Sequence, residues 1–524
     1  MWTKLWHKIN NTVAGGALII ACFSFLSKII ALFRERLIAY NFGASEISDI
    51  YYAAFRLPDI IFNTLVLGAL TSAFIPVFQK VWHKNKDEAL VLANSVLNLF
   101  LIVIFFLSLL AAIFTPQIMD FLTPGFSEWQ MIKVNQLTRI MLLSILFFVG
   151  SNVIGGVLNS WKKFFSFSLA ASFYNLGIIF GIVFLYPIFG LTGLAWGVLI
   201  GAILHLVVQL PEVYKYGFRY QLKLVFNSDL KKILYLMMPR TIGLAAGQVN
   251  LIFITMLASG MAAGSIAIFN LANNLQSLPV SLFAVSLAIA VFPTFTQAIQ
   301  ENNKSLFAQH FSASFRRILF VLVPISVLIV ILRAQIVRLI LGAGAFSWQD
   351  TYYTAQTLGF FALSLFAQGL IPILARAFYA WEDTKTPMYI SIISIIVNIF
   401  FSFLFTKNLG VIGLALAFSI SSILNMFLLF IFLHRKSKDL DDQAIFFSII
   451  KISILSFIAG VVTYFALQFF ASIVNMQTFF GIFIQGVGSG TLGLLIYLIL
   501  AIVFKLEEID LVRKLFKRLL GVIR

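Results

Sequence analysis

Lys28, Arg34, Glu35, Arg36, Asp49, Arg56 and Asp59 are set into otherwise apolar text between Ser24 and Pro76. A charge at membrane depth costs about 2.5–3.5 kcal/mol on insertion scales, so such residues face a wet cavity or a partner. Their types define the chemistry on offer: cations for an anionic ligand, and carboxylates that pair with cations. Lys28 lies about fourteen residues into the first apolar run, or ~21 Å along a helix, too deep to reach the cytoplasmic interface easily. A solvated cavity or a pairing with a neighbouring helix would accommodate it, and Ser27 places a hydroxyl beside it. Arg34 sits near the far boundary, where Arg34-Glu35-Arg36 also reads as an interfacial anchor. On an ideal helix Lys28 and Arg34 are about 120° apart, so they share a cavity only if it is wide or the helix bends. Asp49 opens the second run, as a ligand for a cationic group or as an acid favoured by the helix dipole. Arg56 and Asp59, three apart, can pair along one helix. Arg139 and Arg240 are isolated intramembrane charges, and Arg376 reads as a snorkelling arginine.

Catalytic chemistry is not expected. The five histidines, at 7, 83, 205, 310 and 434, have no metal-ligand spacing. No zinc-protease, nucleophile-elbow, Walker or dinucleotide motif is present. Cys22 stands alone, which excludes an intrachain disulfide and a cysteine metal site.

The elements that position these residues follow from composition. The chain is 61% hydrophobic and 11% charged, with mean hydropathy +0.99, whereas soluble domains carry about 25% charge. The expected fold is an all-α polytopic membrane protein of about fourteen transmembrane helices. The runs are 14–39, 49–79, 89–115, 131–158, 165–187, 191–211, 231–259, 264–298, 312–333, 351–379, 386–406, 411–433, 446–470 and 478–505. No small-residue cleavage site follows the polar opening, so the first run reads as a retained span. Pro58, Pro239, Pro279 and Pro372 are kink candidates. The net charge of +17 reflects the positive-inside rule and anionic lipid rather than nucleic acid. Lys and Arg crowd alternate loops, which puts both termini in the cytoplasm. The basic stretch 505–524 reads as an amphipathic helix on the cytoplasmic leaflet.

The sequence also repeats. GLTGLAWGVLIGAIL at Gly190 matches GVIGLALAFSISSIL at Gly410, and Trp161 matches Trp381 at the same offset. Phe74-Ile75-Pro76 matches Val291-Phe292-Pro293 at a slightly shorter one. Six spans per repeat give two parallel-repeat lobes, 1–225 and 226–440, followed by two further spans and the tail, 441–524. Such halves typically hold a midplane site.

FGASEISDIYYAAFRLPD (42–59), SAFIPVF (72–78), TPGF (123–126) and GGVLNSWKKF (155–164) occur in order. LPVSLFAVSLAIAVFPTF (278–295), ARAFYAWEDTKTP (375–387) and GLALAFSISSILN (413–425) follow. Through these the chain resembles the MurJ/MviN family of lipid II flippases, in the superfamily that also holds the multidrug MATE exporters. The resemblance implies alternating access through a cationic cavity, with Lys28 and Arg34 as the first-span cations and Asp49 as the second-span acid. It implies an undecaprenyl-diphosphate-linked glycan as substrate, with the apolar tail held at a groove beside the last two spans. It also implies membrane lipids as surroundings, a monomer working beside cell-wall synthesis proteins, and a bacterial cytoplasmic membrane location. After the Leu-Pro pair the family usually carries an arginine and then Glu-Gly, where this chain has Phe62-Asn63 and Leu67-Gly68. The family's eighth-span arginine falls at Asn274. Another lipid-linked oligosaccharide, ion-coupled export of the MATE type, or a non-transporting scaffold are the alternatives. No cofactor is expected; sodium, proton or membrane-potential drive is left unassigned.

Overall fold

A computed structural model describes residues 13–437 and 440–510, all of them helix, turn or irregular backbone. The tail expectation for 505–524 falls mostly outside them, as do the side chains of Leu67 and Arg240. Helices occupy all fourteen expected places. They are α1 (Val13–Phe42), the segmented α2 (46–84), α3 (Lys86–Ile113), α4 (Glu128–Ser160), α5 (Phe165–Phe189), α6 (Leu191–Val207) and α7 (Ser228–Ser259). Then come α8 (Ser265–Gln300), α9 (Lys304–Ile340), the bent α10 (348–380), α11 (Lys385–Leu409), α12 (Val411–Ser437), α13 (Asp442–Ile473) and α14 (Phe479–Val503). Among the described residues ten helices are long and apolar enough to cross a bilayer, and α10 makes eleven when its two pieces are one span. The other places are occupied by α1, α2 and α7. Lipid-facing Phe, Leu and Ile side chains are exposed along these helices.

The repeat is visible in backbone detail. A π-helical turn interrupts α2 at Phe62–Leu67 and, at the corresponding place in the second repeat, α8 at Val280–Val285. Capping boxes start α4 (Ser127 with Gln130) and the first piece of α10 (Ser347 with Asp350), each satisfying two orphan amides reciprocally. Lys162 and Glu382 end α4 and α10 at φ +58° and +57°. Gly190 and Gly410 precede α6 and α12 at φ +61° and +55°, a region that a Cβ disfavours.

The chain divides into two compact units, 1–267 and 268–524. The first therefore includes α7, which packs on α2 although it opens the second repeat. Within it α1 packs on α5, and α5 on α6 through facing glycines. A Cβ on Gly177 would lie 2.3 Å from the Gly201 Cα, so only glycine permits this approach. In the second unit α9 packs against α10, α13 and α14, and α11 against α12. Its core holds a ladder of Phe295, Phe307, Phe311 and Phe315.

The proline expectations meet a mixed outcome. The π-turn of α8 directly follows Pro279, and α2 breaks at Phe55 ahead of Pro58. The helix of α7 runs unbroken through position 239. In α10 the 45° bend lies at 363–364, not at Pro372. Hydroxyls rather than a proline support that bend: Ser419 Oγ donates to Phe360 O at 2.6 Å, and Ser326 Oγ donates to Ala362 O. Backbone groups freed at membrane depth need such partners.

Candidate substrate site

In the first unit Arg34, Glu35, Asp49 and Arg56 fall into two hydrogen-bonded clusters, and Lys28 lies apart from both among the described residues. The first cluster ties α1 to α5 and α2. Successive residues on a helix project about 100° apart, so Arg34 turns to α5 and Glu35 to α2. Arg34 Nη1 donates to Asn175 Oδ1 at 2.9 Å, and its Nη2 donates to Glu35 Oε1. The Tyr52 hydroxyl donates to Glu35 Oε2. Asn175 Nδ2 donates to Ala171 O at 2.9 Å and reaches Ser27 Oγ at 3.5 Å. Glu35 is 3% exposed and Asn175 6%. The pair cancels its own charge and holds three helices together, the geometry in which a buried ion pair is tolerated.

The second cluster lies at the other end of α2's first segment. Asp49, buried, accepts from Gly264 N at 2.7 Å and Ala267 N at 2.8 Å. These amides head α8, where the first N–H groups lack intrahelical partners, so the carboxylate satisfies them and complements the dipole. The approach is close: a Cβ on Gly264 (φ +88°) would stand 2.2 Å from Ala44 O. The turns after α1 and α7 are thus in contact. Further along α2, Arg56 Nε donates to Thr255 Oγ1 of α7 at 2.8 Å.

Lys28 is half-buried on α1 and forms no hydrogen bond or ion pair with any described residue. Of the expected site residues, then, Ser27 and Arg34 meet through Asn175. Asp49 and Arg56 each engage the α7–α8 end of the unit, and Lys28 stands alone. Asn274 lies on α8 in the second unit, half-buried, its carbonyl accepting from Ser277 Oγ at 2.9 Å. Arg139 donates to Ala112 O at 3.0 Å, and Arg376 to Pro372 O of its own helix at 3.1 Å. Sequence reasoning missed Asn175, Tyr52 and Thr255, and it read Glu35 only as part of an anchor. A lone Asn in the apolar fifth run was the available signal. Among the described residues no three His, Cys, Asp or Glu side chains cluster as metal ligands.

The second unit offers apolar surface instead. A groove of about 650 Å³ runs between α9, α10, α12 and α13, lined by Phe315, Leu370, Phe430 and Phe446. His434, Arg435 and Asp442 stand at one end, and His434 Nδ1 lies 3.1 Å from Asp442 Oδ2. A second hollow of about 900 Å³ shares Val323, Phe366 and Ser453 with it and extends past Gly460 to Tyr464. Arg316 of α9 pairs with Glu507 at 2.8 Å and with buried Glu508 at 3.0 Å, just beyond α14. Ser448 of α13 donates to the same Glu508 oxygen.

A family model described as lipid II flippase MurJ matches residues 38–484. A probable lipid II flippase MurJ of Buchnera aphidicola subsp. Schizaphis graminum is 31% identical over 460 residues, covering 85% of this chain and 89% of that one. The lipid II flippase MurJ of Burkholderia cenocepacia is 28% identical over 431 residues, 80% of this chain and 83% of that one. Among solved structures, lipid II flippase MurJ in an inward closed conformation matches with a TM-score of 0.78 and 28% identity, covering 93% of this chain and 98% of that one. An inward-facing MATE family multidrug transporter shares the fold at a TM-score of 0.67 and 14% identity, covering 80% of this chain and 98% of that one. This polytopic membrane chain, with its repeated frame and intramembrane charges, belongs to the MurJ family.

Proposed function

We propose that this chain moves lipid II from the cytoplasmic to the outer leaflet of a bacterial cytoplasmic membrane by alternating access, with both termini in the cytoplasm. The observation that carries the reading is Lys28: a cation at membrane depth, without a counter-ion among the described residues, in a chain of this family. An anionic diphosphate head supplies the missing partner. Arg34, held by Glu35 and Asn175, keeps the first span oriented and adds its remaining N–H donors to the head. The apolar groove of the second unit suits the polyprenyl tail, and its charged end at His434, Arg435 and Asp442 suits the region where tail meets head. Asp49, by capping α8, holds the outer turns together in this conformation; release of those bonds would accompany opening. Membrane potential acting on the anionic head is a sufficient drive. The chain acts as a monomer beside cell-wall synthesis proteins.

A second reading, another lipid-linked oligosaccharide, draws on Phe62-Asn63 and Asn274, which stand where the family usually has arginine. Depletion of the protein with leaflet-resolved labelling of lipid II separates the two. Accumulation of lipid II in the inner leaflet supports the first; unchanged lipid II with another lipid-linked glycan accumulating supports the second.

A further inference from the structure

The connection between the repeats, 217–227, has no helix, yet it runs along α3, bonded to its side chains. Asn94 and Asn98 lie eight and twelve residues past Lys86, about 12 and 18 Å along the helix. Together with Ser95 they supply a polar stripe on an otherwise apolar helix, and all three are buried. Asn94 Nδ2 donates to Arg219 O at 3.1 Å, and its Oδ1 accepts from Gln221 N at 2.8 Å. Asn98 Nδ2 donates to Gln221 O and Lys223 O, both at 2.8 Å, and its Oδ1 accepts from the Tyr220 hydroxyl at 2.9 Å. Ser95 Oγ accepts from Val225 N at 3.0 Å. Three side chains thus satisfy five backbone groups of an extended segment.

Held by these bonds, the segment turns apolar side chains outward. Leu222 is 88% exposed and Phe226 58%, and Tyr220, Leu224 and Val225 are exposed as well. Arg219, Lys223, Lys231 and Lys232 flank them, also exposed. Apolar side chains between cations, at a helix depth just inside the first apolar turns, match the interface of an anionic leaflet.

We propose that residues 219–226 form a strap inserted into the cytoplasmic leaflet, anchored to α3 by Asn94, Ser95 and Asn98, with Leu222 and Phe226 among the acyl chains and Lys223 on anionic headgroups. The loop is then a lipid-binding surface rather than a solvated linker.

The test places a fluorescent NBD label at Leu222→Cys in a Cys22→Ser background, in nanodiscs of phosphatidylcholine and phosphatidylglycerol, with Lys84→Cys as an aqueous reference. The expected result is quenching of the 222 label by lipids spin-labelled high on the acyl chain, and iodide quenching several-fold weaker than at position 84. Iodide quenching equal to the reference, without lipid quenching, overturns the proposal. Asn98→Ala, checked for unchanged helical content, should raise iodide access at 222. A label equally lipid-quenched with and without Asn98 overturns the anchoring by α3. Replacing phosphatidylglycerol by phosphatidylcholine throughout should weaken lipid quenching; no change overturns the role of anionic headgroups.

Discussion

The two repeats share a frame and differ in chemistry. Their π-turns, capping boxes, left-handed helix ends and glycine turns recur at corresponding positions. Between residues 241 and 300 there is no charged side chain, whereas the matching stretch of the first repeat carries Lys28 through Asp59. The same frame position can also hold different interactions. Lys163 lies over the Tyr216 ring at 4.5 Å; at the equivalent place in the second repeat Asp383 accepts from Lys436 Nζ at 2.7 Å. Geometry set by backbone and small residues has been kept in both halves. Charge has concentrated in the first repeat, and the large apolar hollows described above line the second unit. For a substrate with an anionic head and a long apolar tail, that is a division of labour.

The largest stability effect that would sharpen this contrast is expected at Glu35. Glu35→Gln strands the Arg34 charge among α1, α2 and α5, and loss of one partner of a buried pair costs about 3–5 kcal/mol. Thermal unfolding of the purified protein should show a clear fall in Tm. A Tm unchanged by Glu35→Gln would mean that the first repeat's charges are solvated rather than clustered.

Closure of the turns after α1 and α7 comes next. A bifunctional maleimide across Ser45→Cys and Ala262→Cys, in a Cys22→Ser background, should stop transport and leave the fold intact. The turns carrying these positions touch through Ala44 and Gly264. Full transport in the crosslinked sample would count against alternating access through this end.

The smallest effect lies in the second repeat. Burial works to raise the Asp383 carboxyl, but bonds from Lys436 and from the Thr386 amide and hydroxyl outweigh it and hold it below the usual range. Its contribution is therefore present above the unfolded carboxylate value of about 3.9 and is lost as pH falls through the lower folded value. Asp383→Asn should cost at most about 1 kcal/mol at neutral pH, with the difference from the parent protein vanishing in acid. A difference that persists below that range would show the pair is not the cause.

Much of the fold was legible because each span writes itself locally. Apolar length and Lys and Arg in alternate loops are short-range signals. The repeat was legible from Gly190 and Gly410, whose positive φ restricts what can replace them. The site was legible only as a set of charges. That Arg34 would spend its donors on Glu35 and Asn175 depends on a helix distant in the chain. That Asp49 would cap α8 depends on residues from the opening of the other repeat. The bend of α10 at 363–364 arises from hydroxyls on two other helices, which no local proline signal reports.

On the proposed function, the first repeat binds the anionic head through Lys28. A cation–anion pair at ~4 Å, in an effective dielectric near ~20, is worth on the order of 4 kcal/mol before desolvation. The direct measurement is leaflet-resolved lipid II labelling in cells whose only copy carries Lys28→Ala or Lys28→Arg, with abundance in the membrane measured alongside. Lys28→Ala should abolish flipping without loss of membrane insertion, since removing the charge makes the span more apolar. Lys28→Arg should retain much of it, since a guanidinium also pairs with phosphate. Normal flipping by Lys28→Ala at normal abundance would contradict the account.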